Sequence, residues 1–364
     1  MRITAAVLRD REAGPALETV ELAGPGPDEV VLRISGVGMC HTDLLPRAPG
    51  SHVPVPVILG HEGSGVVTEV GANVTGISVG DHVVASFDSC GECANCLAAH
   101  PAYCATFLPR NMTGRALDGS TSARDADGAE VGARWFGQSS FASHAVVAAR
   151  NLVVVDQDLP LELLGPLGCG VQTGAASVFN ALGVRPGESI AVFGVGAVGL
   201  SAVMAALVAG ATTIIAVDRL GSRLTLAKEL GATHALAADG DLAGEIHRIT
   251  GGGTQYTVDT TGAPDVILTA VNSLRLTGTC GLVGAPQGEM VFDPRILSLG
   301  RSMKGIIEGD AVPRLMIPRL IELWRQGRFP FDKLVGTFPL DRIGEAEQAM
   351  ARGDVVKPVL VPAD

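Results

Sequence analysis

Ser189–Gly199, SIAVFGVGAVG, reads as an apolar strand (Ser189–Phe193) running into G-x-G-x-x-G and out into a helix, Ala197–Ala209, stopped by Gly210. The three glycines have separate tasks. Gly194 permits the tight turn, Gly196 lets the backbone approach a pyrophosphate, and Gly199 permits close helix–strand packing. The helix N-terminus behind them presents free N–H groups and the positive end of its dipole to the anion. In a chain with 47 glycines the motif alone is weak. Its context decides: Asp218 ends the next apolar strand, Thr213–Val217, nineteen residues beyond Gly199. A carboxylate there accepts from a ribose 2′-OH and repels a 2′-phosphate, so the stretch predicts NAD in preference to NADP. Arg219 and Arg223 lie close by and leave some NADP use open.

Working outward, a helix at Ser222–Leu230 closed by Gly231 and strand-like segments at Tyr256–Val258 and Thr279–Val283 continue the alternation. Strands that are apolar throughout and alternate with helices predict a doubly wound parallel sheet covered on both faces. The first 150 residues differ. Glu29–Ser35, Gly65–Val70 and His82–Ser86 are short and rich in Val or Ile, punctuated by Gly, Pro and Asp, as in a β-rich domain. After about Gly305 that pattern returns, with a helix around Leu315–Gln326 and a closing strand at Val356–Val361. A nucleotide-type domain, residues 171–307, is therefore expected as an insertion into a mostly β domain built from residues 1–170 and 308–364.

At 364 residues, 47% hydrophobic and 18% charged, the chain can bury two ordinary cores and is not a disordered one. A net charge of -11 without a basic patch argues against a nucleic-acid or anionic-membrane partner. The longest apolar run, near Val198–Val208, falls short of the roughly 20 residues of a membrane span. MRITAAVLRD at the start carries no apolar h-region, and the expected location is the cytoplasm.

Cys90, Cys93, Cys96 and Cys104 read C-x2-C-x2-C-x7-C, four soft ligands within fifteen residues. That spacing suits a closed tetrahedral zinc site, which staples a lobe and does no chemistry. In a chain without a secretory signal it favours metal over disulfides. Three cysteines remain. Cys40 opens Cys40-His41-Thr42-Asp43, Cys169 sits in Gly168-Cys169-Gly170, and Cys280 lies in an apolar strand-like segment where it reads as a buried core thiol. His61 opens His61-Glu62-Gly63. Two thiolates and one imidazole would make Cys2His with an open fourth position, but spacing alone does not assemble ligands so dispersed.

Taken together, Gly38-Met39-Cys40-His41-Thr42-Asp43, Gly60-His61-Glu62-Gly63, the four-cysteine lobe, Gly168-Cys169-Gly170, Gly194–Gly199 and Asp218 resemble the zinc-dependent medium-chain alcohol dehydrogenases almost end to end. Pro101-Ala-Tyr-Cys104, Phe136-Gly-Gln-Ser-Ser-Phe141 and Leu163–Gly170 look most like the aryl-alcohol (benzyl alcohol) branch. The resemblance implies a GroES-like β-rich catalytic domain with an inserted Rossmann domain. It implies Cys40, His61 and Cys169 as ligands of a catalytic zinc, and so two zinc ions per chain with the lobe. Glu62 matches a glutamate near that zinc, Asp43 the carboxylate that orients the ligating histidine, and Thr42 the hydroxyl that takes the substrate proton. Thr173, Arg223 and Lys357 fall at positions that contact the dinucleotide, Lys357 near its pyrophosphate. The expected assembly is a homo-oligomer, dimer or tetramer.

Two positions depart from the family pattern. Leu45 stands where many members have a histidine that passes the proton to solvent, so the relay is expected to end at a water or at His52. His41 stands where an arginine often grips the pyrophosphate, and a largely neutral imidazole should hold it less tightly. Phe87, Trp135 and Phe136 are the expected lining of the substrate pocket, favouring a bulky apolar primary alcohol, benzyl-type or allylic terpenoid. The rival enzymes act on S-(hydroxymethyl)glutathione or on small aliphatic alcohols, and a non-enzymatic rival is a dinucleotide-binding sensor or structural relative. The aromatic pair argues against the glutathione adduct, and the complete open-site ligand set with Thr42 against the sensor.

Overall fold

The computed structural model describes residues 1–363, and the chain divides into two compact units: Met1–Cys169 with Val312–Pro318 and Asp332 onward, and Gly170–Ala311 with Arg319–Phe331. Among the described residues no helix is long and apolar enough to cross a membrane.

In the second unit the described strands form one parallel sheet in the spatial order His234–Ala237, Thr213–Asp218, Ser189–Phe193, Thr254–Asp259, Leu274–Leu282, Ser302–Gly305. Chain order reverses direction across Ser189–Phe193, which pairs with Thr213–Asp218 on one side and Thr254–Asp259 on the other. This is the switch point of a doubly wound sheet, where a crevice opens at the carboxyl ends of the strands. Ile190, Ala191, Val192 and Phe193 are all buried because both faces of the sheet are covered, which explains their unbroken apolar run. Gly199 has no alternative: a Cβ there would sit 2.0 Å from the Gly194 carbonyl oxygen.

The first unit is built on mostly antiparallel sheets. Glu29–Gly38 is central to the larger one, pairing with Glu62–Val70, His144–Ala148 and the late strand Lys357–Val361. Val359 lies opposite Gly38, and Met39 N–H donates to the Pro358 carbonyl. That register brings residues from both ends of the chain, Cys40 and Lys357, to one place.

The expected boundary at 308 needs correction. Residues 308–311 and 319–331 pack with the dinucleotide unit. Leu320, Phe329 and Phe331 are buried, and the Trp324 and Phe331 rings lie 5.4 Å apart. The residues of helix Pro313–Arg325 are therefore divided between the two units. A periodic pattern shows that a helix is buried on one side, not which core it is buried in.

Candidate active site

The four-cysteine lobe follows strand His82–Ala85. Its thiol sulfurs lie within 4.8 Å of one another and are not disulfide-bonded. Backbone N–H groups point at them: Cys90 at the Cys104 sulfur (3.2 Å), Cys93 at the Cys90 sulfur (3.2 Å), Ala105 at the Cys93 sulfur (3.5 Å). Donors of this kind favour the thiolate, and the Ala105 amide leads in holding Cys93 down to about 6. The donor set fits a closed zinc site.

The second cluster lies wholly in the same unit. Donor atoms of Cys40, His61, Glu62 and Cys169 converge within 4.8 Å. Cys40 leaves the end of strand Glu29–Gly38 and begins the short helical turn His41–Arg47, while His61 immediately precedes strand Glu62–Val70. Cys169 follows the turn Gly165–Gly168, docked by a 2.6 Å bond from the Ser86 hydroxyl to the Gly168 carbonyl. The buried Asp43 carboxylate organises the group. Its Oδ1 accepts from His61 Nδ1 (2.7 Å), Gly60 N (3.1 Å) and Trp135 Nε1 (3.0 Å), and its Oδ2 from Cys40 N (3.1 Å). With Nδ1 committed, His61 Nε2 is buried and has no hydrogen-bond partner among the described residues. An orphaned imidazole nitrogen beside two thiols fits a metal ion, with the outer carboxylate fixing the tautomer as metal-binding histidines require.

The electrostatics agree at the thiol. Hydrogen bonding with Cys169, then the Lys357 ammonium, pull the Cys40 thiol well below its ordinary range despite burial. Desolvation opposes charge on His61, but Asp43 outweighs it and raises the imidazole. Burial lifts Glu62 to about 7. Lys357 joins the same site. It is 3% exposed, and its ammonium donates to Glu62 Oε1 (2.8 Å) and the Met39 carbonyl (3.0 Å). The structure thus places it against the metal-site glutamate, kept charged by that carboxylate against the cost of burial. Gly38 makes room for the pair, since a Cβ there would fall 2.0 Å from Glu62 Oε2.

The aromatic residues divide. Trp135, at 0% exposure with its indole N–H on Asp43, sits behind the histidine and not on an open pocket wall. The Phe136 ring stacks on His61 at 4.4 Å and 26°, its backbone left-handed at φ 50°. Phe107 meets Phe136 edge-on at 6.3 Å, and Phe87 tilts against Phe107 at 5.8 Å. Phe107, which the sequence reading did not single out, completes this row of rings. Gln138 was also missed: buried, it donates to the His61 and Ser86 carbonyls and accepts from Gly63 N and Ser140 Oγ. Nothing in a lone Gln between Gly and Ser distinguishes it in sequence. Thr42 is half-buried, its hydroxyl 3.7 Å from the Cys40 sulfur, whereas His41, Leu45 and His52 are exposed.

In the dinucleotide unit Gly194 takes φ 83°, and nothing described lies within 4 Å of where a Gly196 Cβ would stand. That open space over a helix N-terminus fits a pyrophosphate. Asp218 Oδ2 accepts from Val195 N (2.8 Å) and Oδ1 from Leu220 N (2.9 Å), so the carboxylate also braces the glycine turn. Arg223 is buried and its guanidinium pKa is lowered by desolvation, with Asp218 opposing. The Thr173 hydroxyl donates to Glu308 Oε2 (3.2 Å). Cys280 is a buried strand thiol, pushed up to about 12 by burial, as expected of a core residue.

Comparison with known proteins agrees with this geometry. Residues 26–157 match the family model described as alcohol dehydrogenase GroES-like domain, and residues 197–325 that described as zinc-binding dehydrogenase. A geraniol dehydrogenase of Castellaniella defragrans is 47% identical over 98% of this chain and 97% of its own. An alcohol dehydrogenase zinc-binding domain protein from Burkholderia ambifaria superposes with TM-score 0.97 at 48% identity, and the benzyl alcohol dehydrogenase of Acinetobacter calcoaceticus with TM-score 0.96 at 43% identity, each over the full length of both chains. Two metal-fitting clusters in a β-rich unit, a dinucleotide turn in a parallel sheet, and likeness at this level along nearly the whole chain make it a member of the zinc-dependent medium-chain alcohol dehydrogenases.

Proposed function

We propose that this chain is an NAD-dependent alcohol dehydrogenase that oxidises a bulky apolar primary alcohol, benzyl-type or allylic terpenoid, to its aldehyde. The observation that carries the reading is the row of phenylalanine rings standing on His61, the residue whose Nε2 is left for a metal. Relatives that act on geraniol and benzyl alcohol support the same substrate class.

Zinc held by Cys40, His61 and Cys169 would supply Lewis-acid polarisation of the alcohol oxygen. The chain's own groups do the rest. Asp43 holds the imidazole in one tautomer and orientation. Phe136, Phe107 and Phe87 keep water from the site and offer apolar surface to the substrate's hydrocarbon part. Thr42 Oγ1, beside the Cys40 sulfur, takes the hydroxyl proton. The Gly196 turn and Asp218 bind the pyrophosphate and ribose of the hydride acceptor. The lobe takes a second zinc. Homo-oligomeric assembly is supported by the sheet's edge strand, Ser302–Gly305, beside exposed Leu299 and Val291, and the cytoplasm is the proposed location.

Initial rates with NAD on benzyl alcohol, geraniol, ethanol and S-(hydroxymethyl)glutathione, with and without a chelator, test the reading. The bulky apolar alcohols should lead ethanol about a hundredfold in kcat/KM, the equivalent of roughly 100 Å2 more buried apolar surface at about 25 cal/mol per Å2, and chelation should abolish turnover. A lead for ethanol or the glutathione adduct overturns the substrate class, and no turnover on any of them overturns the enzyme. Asp218→Ala, read by KM, should weaken NAD about tenfold through loss of a charge-assisted hydrogen bond and narrow its advantage over NADP. An unchanged NAD/NADP ratio would remove Asp218 from cofactor selection.

A further inference from the structure

After strand Ser302–Gly305 the chain enters three consecutive left-handed residues: Glu308 at φ 50°, Gly309 at 68° and Asp310 at 54°. Two of the three are not glycine, a conformation that L-residues avoid and that persists only where surrounding contacts impose it. The contacts are visible. A Cβ on Gly309 would fall 2.6 Å from Ala176 Cβ and 2.9 Å from the Thr173 carbonyl, so the turn is pressed onto helix Gly170–Ala176. The turn delivers a carboxylate: Glu308 is 7% exposed and its Oε2 accepts from Thr173 Oγ1 (3.2 Å) and Gln172 Nε2 (3.5 Å). Both neighbours address it as donors, which is how an ionised carboxylate is held.

Its place in the sheet gives this charge a use. Asp218 ends a strand on one side of the switch point and braces the turn expected to hold the adenosine-side ribose. Glu308 follows the last strand on the opposite side, beyond Thr254–Asp259 and Leu274–Leu282. A dinucleotide crossing a doubly wound sheet puts its two nucleosides on the two halves, so the second half receives the nicotinamide. Oxidised nicotinamide is a cation and reduced nicotinamide is neutral.

We propose, on the NAD-dependent reading above, that Glu308 is the residue by which this protein favours the oxidised cofactor. Its carboxylate, fixed by the strained turn and by Thr173, attracts the pyridinium and has no equivalent attraction for the dihydropyridine. The balance between NAD+ and NADH affinity is thereby set within the protein in favour of taking up the oxidised cofactor and releasing the reduced one.

Dissociation constants of NAD+ and NADH, measured by calorimetry on the wild type and on Glu308→Gln, decide the point without recourse to turnover. Glutamine keeps the shape and the acceptor oxygen and removes the charge. The NAD+ constant should rise about tenfold, the order of one charge–charge interaction in a partly desolvated site, with the NADH constant changed less than about twofold. Thr173→Val, which releases the carboxylate without neutralising it, should move the ratio in the same direction by less, and decides the question if Glu308→Gln does not fold. Asp310→Asn, two residues along, should leave the ratio alone. Equal shifts for both cofactor forms, or none, overturn the role of Glu308 while the dehydrogenase stands. A wild-type protein that binds neither form overturns the NAD reading and this role with it.

Discussion

Cys40→Ser is expected to lower kcat/KM about a thousandfold, the equivalent of losing roughly 4 kcal/mol of charge stabilisation at the reacting oxygen, and to cost one zinc per chain. Serine preserves the size of the side chain and the backbone N–H bond to Asp43 Oδ2, so the fold should survive. What it removes is a soft thiolate that this site goes to some length to create: Cys169, Lys357 and His61 all favour the ionised form of Cys40 against the desolvation that opposes it. A hydroxyl is a harder, far less acidic donor, and zinc prefers sulfur and imidazole nitrogen. Metal analysis beside steady-state rates on the same preparation checks both halves. Full activity with two zinc ions retained would take Cys40 out of the ligand set.

Asp43→Ala should be damaging in a different way. The carboxylate ties together four donors from three segments: Cys40 N, the adjacent Gly60 N and His61 Nδ1, and Trp135 Nε1. Removing it leaves all four without that acceptor in a site closed to water, and breaking a buried charged partner of this kind costs about 3–5 kcal/mol. Catalytic-site metal affinity should fall a further ten- to a hundredfold because His61 is no longer held in one tautomer. Asp43→Asn separates the two effects. It keeps an oxygen for three of the donors but sets an amide N–H against the Cys40 N–H, so metal affinity should fall with a smaller loss of stability. Denaturant midpoints and zinc-binding titrations on both variants measure these terms. If Asp43→Ala unfolds at the wild-type midpoint, the network is not holding the site together.

How much of this was legible beforehand depends on the range of each signal. Strand Ser189–Phe193 stands where the sequence reading puts it, because strand, glycine turn and helix are all local and the apolar run reports burial on both faces. The lobe cysteines were equally plain, four ligands close enough in the chain to be recognised by spacing. The partners of Trp135 and Lys357 escaped the sequence reading for the opposite reason. A tryptophan beside a phenylalanine reads as pocket lining until its N–H is seen to end on Asp43, 92 residues away. A lysine in the closing strand shows nothing of Glu62 until that strand pairs beside Gly38.

The sequence by itself determined the parallel sheet, the glycine turn with Asp218, and the closed thiol lobe, since hydrophobic period, turn chemistry and ligand spacing act over a few residues. The tertiary structure decided which dispersed groups meet: Cys40, His61 and Cys169 around one point, Asp43 behind the imidazole, Lys357 on Glu62, and Glu308 on Thr173. Those meetings follow from strand register and from turns held in left-handed backbone, which the packing of distant segments imposes and no local pattern encodes.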